Sequence, residues 1–355
     1  MPIATYFKTA GKFERAGQLD KALYTLLRAN SDDSQKAMRH IHEINFQRLI
    51  AKAGQLAKSL ISALHPIPLF EQIQNPNNCM GGIVEAIDCP PPIISLTSIS
   101  GRIGRVEQTI NSILEQTFKP HSINLYVSDK PYLIDQGIPA NSDSLKRLAA
   151  LGVNIYHVKN IGPYRKHIPL IVQLRSNSAS PRTPIITMDD DVIYPLDIVE
   201  RLMSALEKEN AVVAHRGREI AFDGEMLADY RSFASPSLVY SYLNMGTGRN
   251  GIAYRLGYFP SNPEDFVGPI LAPTADDVWC KWVTSIYCIP TLILEPSAAY
   301  DPSLDFNATE PTDKNGLFDK YNAKGTNDEA LANLEKYFSS RGVGVVSLFR
   351  GFHHG

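Results

Sequence analysis

The chain has 355 residues, 44% hydrophobic and 20% charged, with 35 basic residues against 37 acidic and a formal net charge of -2. That balance suits an ordinary soluble core, in one large domain or two smaller ones. It excludes a nucleic-acid binder relying on bulk charge, because phosphate binding needs a surplus of Lys and Arg.

Met1 to Leu64 reads as helical: Ala, Leu, Lys, Gln and Arg dominate, and proline is absent between Ile3 and Leu64. Met1 to Ala10 lacks the apolar core of a signal peptide. Ala16 to Leu23 resembles the turn of a tetratricopeptide-type hairpin, but a single such unit buries too little, so a plain helical pair against the main domain is preferred. Met38 to Leu64 carries a second helical pattern, with Ile41, Ile44, Leu49 and Leu56 facing inward. Pro66, Pro68, Pro76, Pro90, Pro91 and Pro92 then mark residues 65–92 as a linker. Cys79 and Cys89 lie there; with Cys280 and Cys288 they form no CxxC pair and no zinc spacing. A reduced, cytoplasmic setting is the simplest reading. No run of about 18 apolar residues marks a membrane span, and peripheral association at the cytoplasmic face is compatible with that.

Strands are predicted over Ile93–Ile99, Ile123–Ser128, Val153–Val158, Pro184–Met188 and Ala211–His215. Helices are predicted over Arg105–Gln116, Leu145–Leu151, Gly162–Arg175 and Ile193–Asn210. This alternation argues for an α/β fold with parallel strands, whose ligands bind beyond the carboxyl ends of the strands. Gly217–Tyr242 is polar and irregular, and Asn244–Gly251 holds Gly246, Gly248 and Gly251, followed by Ile252-Ala253-Tyr254. Ala275–Trp279 opens a helix, Thr291–Glu295 is a short strand, and Pro296–Gly325 is loop-rich. Asn327–Arg341 is a helix, and Gly342–Gly355 a tail with His353 and His354.

The strand from Pro184 ends in Asp189-Asp190-Asp191. Three adjacent carboxylates repel one another and are costly to bury unpaired. A divalent cation resolves the conflict, with Asp189 and Asp191 on one side of the chain as alternate residues of an extended segment. A helix cap accounts for one aspartate, not three. Arg102, Asp129, Lys166 and the three aspartates all fall at or just after strand ends.

An Asp-x-Asp closing the fourth strand, a glycine-containing loop and, about 90 residues on, the acidic pair Asp276-Asp277 opening a helix together resemble the GT-A glycosyltransferases. The likeness is nearest to bacterial inverting enzymes of the family 2 type that make surface polysaccharides, and spans about Ile93 to Glu295. It implies a GT-A, Rossmann-like mixed sheet flanked by helices, with an N-terminal helical extension. The domains would be 1–64 (helical), 65–92 (linker), 93–325 (glycosyltransferase) and 326–355 (helix and tail). It implies Mn²⁺ or Mg²⁺ on Asp189 and Asp191, with Asp190 touching ribose or sugar. Asp277, or failing that Asp276, would be the base; the family more often shows Glu-Asp there. Asp129 would contact the nucleotide base, its rival role being a turn aspartate before Pro131. Arg102, with Arg105 as a rival, would meet the nucleotide. Lys166 or Arg165 would hold the diphosphate, and the glycine loop would face the sugars. His353 or His354 would supply a third metal ligand, as a late histidine does in some members. Trp279 and Trp282 are read as core residues or a sugar platform.

The implied reaction takes a nucleotide sugar, UDP-linked, to a saccharide or glycolipid acceptor, with inversion. The N-terminal helices are read as a surface for a partner protein or a second copy. A sugar-phosphate nucleotidyltransferase is the rival enzyme, but Ser98–Gly104 is poor in glycine for its phosphate loop. A non-catalytic saccharide-binding scaffold is the other rival.

Overall fold

The computed structural model describes residues 49–62, 64, 67–68, 90–297, 317–322 and 325–353. The Ala16–Leu23 hairpin, Ile41, Ile44, most of the linker and His354 lie outside these. Strands in chain order are Ile67–Pro68 (β1), Ile93–Thr97 (β2), Ser122–Val127 (β3), Asn154–His157 (β4), Pro184–Thr187 (β5), Val212–Ala214 (β6) and Gly217–Glu219 (β7). They continue with Phe222–Asp223 (β8), Met226–Leu227 (β9), Tyr240–Ser241 (β10), Asn244–Gly246 (β11), Ile252–Arg255 (β12) and Thr291–Ile293 (β13). The main helices are 49–62 (α1), Val106–Leu114 (α2), Asp143–Ala150 (α3), Ile168–Ser176 (α4) and Ile198–Lys208 (α5). Gly268–Leu271 (α6), Asp276–Ile286 (α7), Leu317–Lys320 (α8), Thr326–Ser340 (α9) and Val345–His353 (α10) follow.

One nine-stranded sheet runs β1-β4-β3-β2-β5-β12-β6-β13-β10. Its first half is parallel from β4 to β5. β12 then runs antiparallel between β5 and β6, and β13 is parallel to β6. β1 and β10 close the edges antiparallel. Strands of the parallel half are near-continuous apolar runs because helices cover both faces; every residue of β5 is buried. The helices present apolar residues at helical spacing, as in α5 with Ile198, Val199, Leu202, Met203 and Leu206 buried. The result is a mixed α/β sheet flanked by helices, Rossmann-like and consistent with a GT-A fold, with α1 lying N-terminal to it.

The sequence reading needs correction in several places: the stretch read as irregular over Gly217–Tyr242 holds β7 to β10, the glycine loop carries β11, and β1 lies in the stretch read as a linker. No strand was expected at Ile252–Arg255, yet β12 joins the two halves of the sheet. In α1 the inward residues are Ile50, Ala53, Ala57 and Leu60, while Leu56 is 48% exposed; the small alanines carry the packing stripe. The helix expected from Ile193 starts at Ile198, because Tyr194 and Pro195 are engaged in holding the aspartate loop. The supposed tail contains α10, whose Val345 and Phe349, one turn apart, are fully buried. Among the described residues no helix is long and apolar enough to cross a membrane.

α7 is buried on almost every side, with Trp279 and Trp282 at 0% exposure, so both tryptophans are core residues. Trp279 packs against the edge of Tyr164, whose hydroxyl donates to the Ala272 carbonyl at 2.6 Å. A Cβ at Gly268 would lie 2.7 Å from Trp279 Cγ and would also overlap the Tyr164 ring. Gly268→Ala is therefore expected to destabilise the protein by about 1–3 kcal/mol through overpacking, read as a lower urea midpoint at unchanged m-value.

Candidate active site

The carboxyl ends of β2 and β5, the turn before α4, the loop after β11 and the start of α7 open into one cleft of about 550 Å³. The aspartate loop is fixed there by uncharged donors. The Asp189 N–H donates to Tyr194 Oη at 2.8 Å, and that hydroxyl donates to the Asp189 carbonyl at 3.1 Å. α2 braces the loop: Thr109 donates to the Asp190 carbonyl, Ser112 Oγ accepts the Tyr194 N–H, and Gln116, just past the helix, donates to the Pro195 carbonyl. With these backbone groups satisfied, the loop needs no helical bonds to stay ordered.

The carboxylates are balanced by fixed cations. Arg102 reaches Asp190 at 3.1 Å and Asp191 at 3.0 Å. The Lys166 ammonium bridges Asp189 at 2.7 Å and Asp276 at 3.2 Å, and its backbone carbonyl is held by Ser95 Oγ. Lys166 is buried; burial alone would strip its proton, but Asp189, Asp276 and Asp277 hold it charged. For Asp191, burial outweighs Arg102 and raises the carboxyl to about 6.

The two acids of α7 are adjacent in sequence and opposite in environment. Neither caps the helix: the N-cap is Ala275, with no side-chain cap. Asp276 Oδ2 accepts from Lys166 and from His167 Nε2 at 3.0 Å. Buried as it is, Asp276 is held well below the usual carboxylate range by Lys166 and His167. Asp277 Oδ2 accepts only the Gly248 N–H at 3.0 Å, and its buried Oδ1 has no hydrogen-bond partner. Burial, then the charge of Asp276, push Asp277 up to about 7. Gly248 matters for closeness: a Cβ there would sit 3.1 Å from Asp189 Oδ1 and 3.2 Å from Lys166 Nζ.

Of the residues singled out in the sequence, Arg102, Lys166, Asp189, Asp190, Asp191, Asp276, Asp277 and Gly248 line this one cleft. Arg165 lines it too but is consumed in a buried ion pair with Asp135 at 3.0 Å, the side chains 1% and 3% exposed. Arg105 and Asp129 are not among the lining residues. Asp129 is 44% exposed and pairs with its neighbour Lys130. The chain passes it and returns through a turn to Asp135, whose Oδ1 accepts from the Ser100 and Gly137 N–H groups. Asp135 was missed because it lies beyond a turn rather than at a strand end. Tyr194, Thr109, Ser112 and Gln116 were missed because neutral donors to backbone leave no sequence signature. His353 ends α10, and its side chain lies outside the described residues.

Among the described residues no group of three or more His, Cys, Asp or Glu side chains is poised as a metal site. Asp189 and Asp191 are hard oxygen donors at the cleft, and the buried Asp190 Oδ2 has no hydrogen-bond partner. They suit a divalent cation that takes its remaining ligands from a diphosphate and water.

No protein-family model matches the chain, and no curated protein matches it. Among solved structures it is similar to glucosyl-3-phosphoglycerate synthase from Mycobacterium tuberculosis in complex with uridine diphosphate, at 16% identity over 71% of this chain and 86% of that one, with a TM-score of 0.36. It is similar to a mannosyltransferase from Pyrobaculum calidifontis in complex with GDP-mannose and Mn²⁺, at 11% identity over 87% and 89%, TM-score 0.36. It is also similar to 4-diphosphocytidyl-2C-methyl-D-erythritol synthase, at 12% identity over 63% and 95%, TM-score 0.35. The fold class rests on the strand order of this chain.

The two acids predict opposite stability effects. An unfolded Asp277 ionises near 3.8 and the folded one near 7. The protonated carboxyl therefore favours folding fully below pH 3.8, and that contribution is lost as pH rises through 7. Asp277→Asn should remove this slope and be at least as stable as the parent at pH 8. Asp276→Asn removes the negative charge that the buried Lys166 and His167 meet at Oδ2 and should cost about 2–3 kcal/mol. Urea titrations of both variants at pH 5 and pH 8 check this; equal losses in the two would contradict the assignment.

Proposed function

We propose that this protein is a metal-dependent glycosyltransferase that moves a sugar from a nucleotide sugar, UDP-linked, to a saccharide or glycolipid acceptor with inversion, in bacterial surface polysaccharide synthesis. The carrying observation is the split between Asp276, saturated by Lys166 and His167, and Asp277, whose buried Oδ1 has no hydrogen-bond partner. An acid raised toward neutrality at a cleft is what a general base requires. Asp277 Oδ1 takes the proton of the acceptor hydroxyl. The acceptor oxygen bonds to the anomeric carbon, and the bond from that carbon to the diphosphate breaks, its electron pair leaving with the nucleoside diphosphate. Asp276 does not compete for the proton, because it already accepts from two donors. Lys166 fixes the spacing between the aspartate loop and α7, and Arg102 orients Asp190 and Asp191. Asp189 and Asp191 would hold Mn²⁺ or Mg²⁺, which when bound neutralises charge on the leaving diphosphate. The setting proposed is cytoplasmic or at the cytoplasmic face of a membrane.

Three measurements test this reading. Transfer, or slow hydrolysis of a UDP-sugar with Mn²⁺, should rise with pH through about 7 as Asp277 deprotonates. Asp277→Asn should lose about 10²–10⁴-fold in rate while keeping Mn²⁺-dependent donor stabilisation in a thermal-shift panel. Asp191→Ala should lose that stabilisation. An Asp277→Asn variant that transfers at the parent rate would overturn the base. Release of pyrophosphate from a nucleoside triphosphate would favour a nucleotidyltransferase.

A further inference from the structure

We propose that Arg216 and Arg218 form a cationic subsite beside Asp277 that receives an anionic group, phosphate or carboxylate, carried by the acceptor. The name acceptor rests on the glycosyl-transfer reading above; the anion subsite rests on the geometry alone.

Arg218 lies in β7 and Arg216 in the bend just before it, and both side chains line the same cleft. β7 pairs with β11, Gly217 opposite Gly246 and Arg218 opposite Met245. The pairing continues where the Thr247 N–H donates to the Arg216 carbonyl at 2.9 Å, and the next N–H, of Gly248, donates to Asp277. One short backbone path thus ties the arginines to the base. Both line the cleft, as does Tyr230, whose ring stacks under the Arg218 guanidinium at 5.2 Å. The Tyr230 phenol is pushed up to about 12 by burial and then by Asp277, with Arg218 and Arg216 pulling the other way. Its hydroxyl therefore lies in the field of the acid and of both arginines.

Charge matching marks these two residues out. Arg102 answers Asp190 and Asp191, Arg165 answers Asp135, and Lys166 answers Asp189 and Asp276. Among the described residues Arg216 and Arg218 have no carboxylate partner, although Asp277 is close enough to influence the same tyrosine. The Gly217 position between them is filled by packing: a Cβ there would meet the Met245 carbonyl at 2.6 Å, which holds the strand tight against β11. Two guanidinium forks, one on the strand and one at its start, suit the planar or tetrahedral oxygens of an anion. A neutral saccharide would leave both forks without a counterion. An acceptor anchored there by its anion presents a hydroxyl to Asp277 from the side of Tyr230.

Calorimetric titration of the full chain with inorganic phosphate, glucuronate and glucose tests this, each with and without saturating UDP and Mg²⁺. Phosphate, glucuronate or both should bind, glucose should not, and UDP should leave the anion affinity unchanged; the two anion arms tell phosphate from carboxylate. Arg216→Gln with Arg218→Gln should weaken the anion about tenfold or more and leave UDP binding intact, and lysine at both positions should restore part of it. The single Arg216→Gln, at an exposed position, should show a partial loss without any folding penalty. The proposal is overturned if neither anion binds, if UDP displaces the anion, if glucose binds equally, or if the double variant binds the anion as the parent does. A chain that binds anions but no nucleotide would instead sink the transferase reading and leave the subsite standing.

Discussion

A single ammonium group organises the site. Lys166 Nζ stands between Asp189 at the end of β5 and Asp276 at the start of α7, two elements far apart in sequence and brought together by the sheet. A buried cation without partners would give up its proton. Lys166 keeps its charge because Asp189, Asp276 and Asp277 surround it, and Lys166 in turn helps hold Asp276 well below the usual carboxylate range. Removing the ammonium leaves Asp189 and Asp276 without their shared countercharge, which is far more costly than a missing surface pair. The spacing of the cleft follows from this contact.

The same logic separates adjacent aspartates. Asp276 is satisfied twice on one oxygen, by Lys166 and by His167, whereas Asp277 keeps one buried oxygen without a partner. On the side of the aspartate loop the charges are paired. Arg165 and Asp135 lock the loop after β3 to the turn before α4, and Arg102 collects Asp190 and Asp191. The loop itself is held by hydroxyls and an amide of α2 and Tyr194, which add no charge to a crowded region.

Much of this was readable from the chain, for identifiable reasons. Apolar runs ending in polar residues revealed β2, β3, β4 and β5, carboxylates placed directly after β5 revealed the aspartate loop, and the Asp276-Asp277 pair stood out as adjacent acids opening a helix. β12 was not readable: a three-residue apolar run after a glycine loop says nothing about direction, which is decided by pairing with β5 and β6. Asp135 was hidden because Asp129 occupies the more obvious position, and the fold reaches the cleft only after a further turn. Arg165 and Lys166 are neighbours with opposite fates, one sealed against Asp135 and one at the cleft, and no local pattern tells them apart. The stripe on α1 was misplaced because alanines at Ala53 and Ala57 pack more closely than the leucine at Leu56.

The central antiparallel strand has a consequence for how the molecule is made. β2, β3, β4 and β5 are encoded by residue 187, but the strand that covers the open side of β5 begins only at Ile252. Until it emerges from the ribosome, β5 is an exposed, mainly apolar edge, the kind of surface that invites pairing with a neighbouring chain. The pairing that protects it spans a long loop, so its entropy must be lost before the contact rewards it. Docking of β12 is thus placed late in folding, and the yield of native protein should depend on how long nascent chains wait for it.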